Sequence, residues 1–380
     1  MTEKLYYKDA YIKDFRATVI SQERSEGGFD VVLDRTAFFP EEGGQSSDRG
    51  NIGSASVLDV KEKDGVIYHF CDTPPTVGEI LDCHIDFEER FEKMQCHTAE
   101  HIICGIIHKL YGYGNVGFHL NSEEVVFDID APMTRKELDE VAAIANRAVY
   151  ENRPVTAYFP TKDELRSLEY RSKLELFENV RIVNIDGYDT CACCAPHVAY
   201  TGEIGSIAIL DFEKHRGGTR IHMLAGKRAE EDYRARCAVT RRISALTSEP
   251  QKTIDEAVER LLTEAEGLKQ SLKASRITEA ELRAELLKGT DKNAVVVIPN
   301  FGIPELIAYS NSAVKKVGGI LVALSGEEGG FKYVISSGSV DLKALSKEIN
   351  TALSGRGGGR PEMLQGSFAS SLSEIEAYFA

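Results

Sequence analysis

RFEKMQCHTAEHIICGIIHKL, residues 90–110, divides the chain into two kinds of sequence. Its apolar positions recur at helical spacing, so the run predicts one helix, with His97 and His101 four apart on a single face. What precedes it reads as short strands. FRATVISQ, GFDVVLDR, GVIYHF and GEILDCHIDF are β-branched and aromatic segments broken by Gly, Asp and Pro, which predicts a small antiparallel barrel or sheet over residues 1–85. Inside it lies DRTAFFPEEGGQ, where Gly43 and Gly44 permit a tight turn before Gln45. After the helix, Thr134 and Glu137 form a capping box for a helix through Ala148, and NVRIVNID and SIAILDF read as strands. Residues 86–228 are therefore expected to form an α+β domain.

The remainder changes character. Ile254, Val258, Leu261, Ala265, Leu268 and Leu272 follow an a/d heptad spacing over about three heptads, between Pro250 and Gly289. A coiled coil and a helical hairpin packing on itself both satisfy that pattern, and residues 229–290 are read as a helical linker. Residues 291–380 alternate: AVVVIP, GILVALS and FKYVISS as strands, PELIAYSNSAVKKV and DLKALSKEINTAL as helices. That order predicts a compact C-terminal α/β domain. GRGGGR, with Gly355, Gly357, Gly358 and Gly359, is read as a loop through which backbone approaches RNA or another subunit. The fold class is α+β throughout: barrel, α+β domain, helical linker, α/β domain.

Composition narrows the function. A 380-residue chain with 42% hydrophobic and 28% charged residues is globular and long enough for two or three domains. Its opening has no apolar signal core and no run approaches a membrane span, so the expectation is a cytoplasmic protein without membrane contact. Eight cysteines are too sparse for a disulfide scaffold and read as buried thiols, metal ligands or reactive groups. A net charge of −15 argues against a general nucleic-acid coater. A local basic stretch, Lys214 to Arg242, leaves RNA binding open, although Glu230, Glu231 and Asp232 also suit a solvated helix of mixed charge.

The metal chemistry rests on two pairs. His97 and His101 can reach one ion from one helix face, and Cys193 with His197 forms a Cys-x3-His pair after a predicted strand. Together they make a tetrahedral nitrogen and thiolate set that suits zinc better than magnesium or calcium. With 9 histidines, about 0.2 His-x3-His pairs arise by chance, so the motif alone is weak. A rival pair, Cys104 with His108, falls on the same helical stripe, but four ligands on one straight helix cannot surround one ion.

LDRTAFFPEEGGQSSDRG, HTAEH, CCAPHVAYTGEIG and GGTRI, in that order, resemble the editing domain of alanyl-tRNA synthetases and its free-standing homologues, the AlaX proteins, over residues 1–228. GRGGGRPEMLQGS resembles the glycine-rich signature of the synthetase's C-terminal domain, so the layout is similar to the long form of AlaX. The resemblance implies one Zn2+ held by His97, His101, Cys193 and His197. It implies pocket-lining, catalytic roles for Thr36 and Gln45. It implies hydrolysis of tRNA(Ala) mischarged with serine, with glycine as a second substrate, and a homodimer formed through the C-terminal region. Arg216, Arg220, Arg356 and Arg360 are the candidate tRNA contacts.

Two departures accompany it. CCAPH stands where CGGTH is common, which adds Cys194 beside the expected ligand; the spacing to His197 favours Cys193. His222 replaces a common acidic residue after RI. Because an aminoacyl ester is already activated, such a site needs positioning and oxyanion stabilisation more than a strong nucleophile. A zinc with four protein ligands either expands to five-coordinate and anchors the substrate, or loses a loose ligand and activates water. Selecting serine over alanine requires a group that reads one hydroxyl, a role Thr36 can fill. The rival functions are a zinc-stabilised tRNA-binding module without catalysis and a DHH-type phosphoesterase, whose Asp-His-His core is missing. The editing-like strands at the start lead to the expectation of a free-standing enzyme without an aminoacylation domain.

Overall fold

Val19, Val31, Ile52, Val57, Ile67 and Ile85 lie on six different strands and are all buried, so the strands that carry them close on one another. The computed structural model describes residues 1–121, 125–172 and 179–380. Around the barrel the order is Asp14–Ser25, Gly28–Leu33, Val66–Cys71, Ala55–Lys63, Gly50–Ile52 and Ile80–Ile85, every neighbour antiparallel. Closure leaves no free sheet edge. Two of these strands, Gly50–Ile52 and Ala55–Lys63, are absent from the sequence reading. In the longer one the register shifts between Val57 and Asp59, so the buried Val57 and Val60 stand three apart. Such a bulge hides the two-residue period by which a strand is recognised.

Contacts divide the chain into two units, 1–240 and 241–380. Beyond its barrel, the first unit is built on the helix Phe87–Tyr111, capped by Asp86 and ended by left-handed Gly112. From Met94 to Ile107 every residue of it is buried, so it is a central helix and not an amphipathic surface one. Its buried cations are fully engaged. Arg90 grips the Asp48 carboxylate and the carbonyls of Ala10 and Ala37, and Lys93 bonds the Ser47 carbonyl and Glu89. These contacts lock the barrel segment just after Gln45 onto the helix. Helix Arg135–Glu151, with the expected Thr134–Glu137 capping box, packs Leu138 and Val141 into the same core. A two-stranded parallel pair, Glu3–Lys4 with Arg35–Thr36, and two larger sheets complete the unit among the described residues. One has the order Ile207–His215, Gly218–Ala225, Val125–Ile129, Asn115–Leu120, and the other Val155–Tyr158, Ile182–Ile185, Asp189–Ala192.

In the second unit a five-stranded sheet runs Ala294–Val297, Ile320–Ser325, Phe331–Ser337, Met363–Phe368, Gly355–Arg360. Only its first pair is parallel, joined through helix Ile303–Ala313. The glycine-rich segment is therefore a strand, not the loop read from composition. Glycine is required because a Cβ on Gly357 would lie 2.3 Å from the Tyr333 hydroxyl and 2.4 Å from the Gln365 carbonyl oxygen. The heptad segment is one continuous helix, Ile254–Glu285, whose Ala280 and Ala284 pack into a core of this unit. Val258, Leu261, Leu268 and Leu272 remain exposed, so the seam does not fold back on itself as a hairpin.

Candidate metal centre

Gly105, two turns along from His97, is the point of closest approach. A Cβ there would sit 2.4 Å from the Tyr188 carbonyl oxygen. Contact at that point brings the hairpin formed by Ile182–Ile185 and Asp189–Ala192 against the helix. Cys193 and His197, just beyond it, then face His97 and His101. The donor atoms of all four lie within 4.8 Å of one another. All four residues are withdrawn from solvent, Cys193 less completely than the histidines.

Each histidine has its Nδ1 occupied by the chain. His97 Nδ1 meets Gln45 Oε1 at 2.8 Å, and His101 Nδ1 meets Asp189 Oδ2 at 2.9 Å. His197 Nδ1 lies 3.0 Å from Thr98 Oγ1, whose hydroxyl donates to the Met94 carbonyl and so can only accept from the ring. All three imidazoles therefore donate from Nδ1, which leaves Nε2 as the atom available to a metal. Nε2 of His197 and of His97 lie 3.3 and 3.6 Å from Cys193 Sγ. Zinc bonds of about 2.05 Å to nitrogen and about 2.3 Å to sulfur give tetrahedral N···S edges of about 3.5 Å, close to these two distances.

Electrostatics agree. Burial pushes the Cys193 thiol up, but the surrounding imidazoles of His97, His197 and His101 outweigh it and hold it well below its ordinary range. Burial brings His197 down to about 3, so its ring is neutral. For His101 burial is the largest single influence and lowers basicity, yet the Asp189 hydrogen bond together with Cys191 and Cys193 outweighs burial and raises it. Asp189 is in turn held by Arg171 through bonds of 2.7 and 2.8 Å.

Cys194 does not join the cluster; it lies toward Gly43 and Glu42, and burial pushes its thiol up. The rival pair is also apart from it. Cys104 contacts Glu100 and Asn115, and His108 Nδ1 meets the Tyr113 carbonyl, so neither enters a metal-binding group among the described residues.

A cavity of about 1230 Å³ opens on His97, His101 and Cys193. Gln45 is fully buried behind His97 and does not itself line the cavity; its Oε1 lies on His97 and its Nε2 has no partner among the described residues. Thr36 is placed differently. Its oxygen accepts from the Phe38 amide, and its hydroxyl meets His69 Nε2 at 2.8 Å. His69 is brought down to about 4 by burial and donates from Nδ1 to the Val31 carbonyl, so Thr36 is the donor in that pair. Thr36 does not line the cavity. Of the four arginines, Arg220 is engaged bidentately with Asp128, and Arg216 sits exposed in the turn between its two strands. Arg356 and Arg360 are exposed on the glycine-rich strand. Thr98, Asp189, Gly105 and Arg171 were missed in the sequence. Thr98 lies inside HTAEH, but nothing local marks the other three.

Similarity to known proteins follows the same outline. Residues 180–222 match the family described as the threonyl and alanyl tRNA synthetase second additional domain, and residues 2–89 match class II (A) tRNA synthetases. The alanyl-tRNA editing protein AlaX-L of Pyrococcus horikoshii is 28% identical, over 99% of this chain and 96% of its own. The alanine–tRNA ligase of Ignicoccus hospitalis is 30% identical over 75% of this chain, but the match spans only 32% of the ligase. A crystal structure of the C-Ala domain from Aquifex aeolicus alanyl-tRNA synthetase matches 24% of the chain at 19% identity, with a TM-score of 0.21.

Proposed function

The chain belongs to the AlaX family of alanyl-tRNA editing proteins, and from that premise we propose a zinc-dependent hydrolase acting in trans on mischarged tRNA(Ala). Its substrates are tRNA(Ala) carrying serine and, secondarily, glycine. The observation that carries the reading is the convergence of three Nδ1-anchored imidazoles and the Cys193 thiolate beside a large cavity.

His97, His101, Cys193 and His197 are the zinc ligands in this reading. Zinc bound there supplies a Lewis-acid centre that orients the ester or the α-amino group. Because Gln45, Asp189 and Thr98 each hold one imidazole, the three histidines would present their Nε2 atoms to the ion already oriented. Gln45 is the catalytic donor in this reading: its Nε2, without a partner among the described residues, can bond a substrate oxygen as negative charge develops. Thr36 reads the serine hydroxyl only if its own O–H exchanges His69 for the substrate.

The segments 1–85, 86–228, 229–290 and 291–380 serve as barrel, deacylase domain, helical linker and C-terminal domain. Arg216, Arg220, Arg356 and Arg360 contact tRNA. A homodimer through the C-terminal region is supported by the exposed apolar seam of Ile254–Glu285. No helix among the described residues is long and apolar enough to cross a membrane, and the cytoplasm is the proposed compartment.

The test is deacylation of labelled Ser-tRNA(Ala), with Ala-tRNA(Ala) and Ser-tRNA(Ser) as controls, by wild type and His97→Ala. Release of serine from the alanine tRNA alone, abolished by the substitution, supports the reading. No release above the spontaneous rate, with tRNA still bound, leaves a binding module.

A further inference from the structure

The three-stranded sheet behind the cavity ends in a row of side chains that the metal centre does not use. Tyr158 pairs with Ile182, and Ile182 with Ala192. One residue further, Phe159, Arg181 and Cys193 therefore lie side by side, and the Cys193 amide donates to the Arg181 carbonyl at 3.0 Å. At a strand spacing of about 4.8 Å, Phe159 stands about 10 Å from the backbone that carries the thiolate.

Phe159 is 52% exposed although it lines the cavity. Its ring meets Tyr7 edge-on at 5.5 Å, leaving a face open. Arg181 covers Tyr7 with its guanidinium 5.2 Å from the ring centre, and its Nη1 is pinned by the carbonyls of Cys193 and Ala195 at 2.9 Å each. The aromatic pair is thus tied to the same backbone that holds the ligand. The cavity, at about 1230 Å³, exceeds the roughly 300–1,000 Å³ that encloses a drug-sized ligand and is far larger than an amino acid requires.

We propose that Phe159, backed by Tyr7 and Arg181, is a nucleobase-stacking subsite that seats the terminal adenine of the aminoacylated strand while its ester reaches the metal centre. The proposal rests on the deacylase reading. An open aromatic face accepts any base, the buried Arg181 holds Tyr7 in place behind it, and two strand spacings match the span from a stacked base across its ribose to the 3′ ester. The seat also explains how a chain of net charge −15 holds a polyanion's end: stacking is not opposed by charge.

The chain has no tryptophan, so Phe159→Trp places a single indole in the subsite. Titration of this variant with the trinucleotide CCA should quench its fluorescence, and CC ending in an abasic ribose should not. On Ser-tRNA(Ala), Phe159→Ala should raise KM about 5- to 100-fold with kcat within about twofold, and Phe159→Tyr should restore it. Quenching that is equal with and without the terminal base, or is absent, overturns the subsite, as does an unchanged KM in Phe159→Ala. Base-dependent quenching in a protein that releases no serine sustains the subsite and refutes the deacylase.

Discussion

Asp189→Asn separates positioning from ligation at the metal centre. Asp189 accepts from His101 Nδ1 and from Arg171, and both its neighbours depend on its charge. The asparagine offers one oxygen in place of two and no charge, so His101 loses its fixed orientation. Losing such a partner weakens metal binding about 10- to 100-fold, equivalent to about 1.4–2.7 kcal/mol. A separate cost arises at Arg171, whose side chain is only 16% exposed and is left without its counter-charge. Breaking one side of a buried pair costs about 3–5 kcal/mol, and the residual exposure places this case near about 3. Competition with a chromophoric chelator measures zinc affinity, and denaturant unfolding of the zinc-loaded protein measures stability. The double variant Asp189→Asn/Arg171→Gln removes the orphaned cation, so it should recover much of the stability and none of the zinc affinity. Zinc affinity within twofold of wild type in Asp189→Asn would refute the reasoning that this carboxylate orients a ligand.

Two further predictions concern the barrel and its neighbouring sheet. Thr36→Val leaves His69 Nε2 without a donor and the Phe38 amide without an acceptor, so denaturant unfolding should show a loss of about 1–3 kcal/mol. Zinc content should be unchanged and serine release lowered; unaltered serine release removes Thr36 from substrate reading. Asp128→Asn should cost about 1 kcal/mol at pH 7, because Arg220 bonds the carboxylate bidentately and, outweighing burial, holds it below its ordinary value. That stabilisation is complete above about pH 5, begins to fall near the unfolded pKa of about 4 and disappears as the pH falls through the lowered native pKa. Unfolding curves of wild type and variant should converge in acid, and a constant gap down to about pH 2 would contradict the assignment.

Local periodicity alone determined the elements whose signal is short-range. The helix over residues 90–110, its histidines four apart, the Thr134 cap and the strand and helix order from residue 291 to about 352 were legible, because side-chain spacing and backbone capping act within a few residues. The strand Met363–Phe368 and the helix Leu372–Tyr378 were not read. Periodicity failed where packing overrode it. A bulge at Val57 broke the alternation of one barrel strand, and contact with Tyr333 made a strand of a glycine run that composition marks as a loop. The heptad spacing of Ile254–Glu285 was real, but spacing does not say what covers a seam. At the candidate site the metal-binding types and their pairs could be read, whereas their tautomers could not. Gln45, Thr98 and Asp189 reach His97, His197 and His101 across 52, 99 and 88 residues of chain, and no local rule encodes such distances. Only the tertiary structure decided which nitrogens turn toward the cluster, that Cys193 and not Cys194 joins its four donors, and that the Thr36 hydroxyl is bonded to His69. The physical reason is common to all three: a buried polar atom must be satisfied, and its partner is supplied by whichever distant strand the core brings alongside.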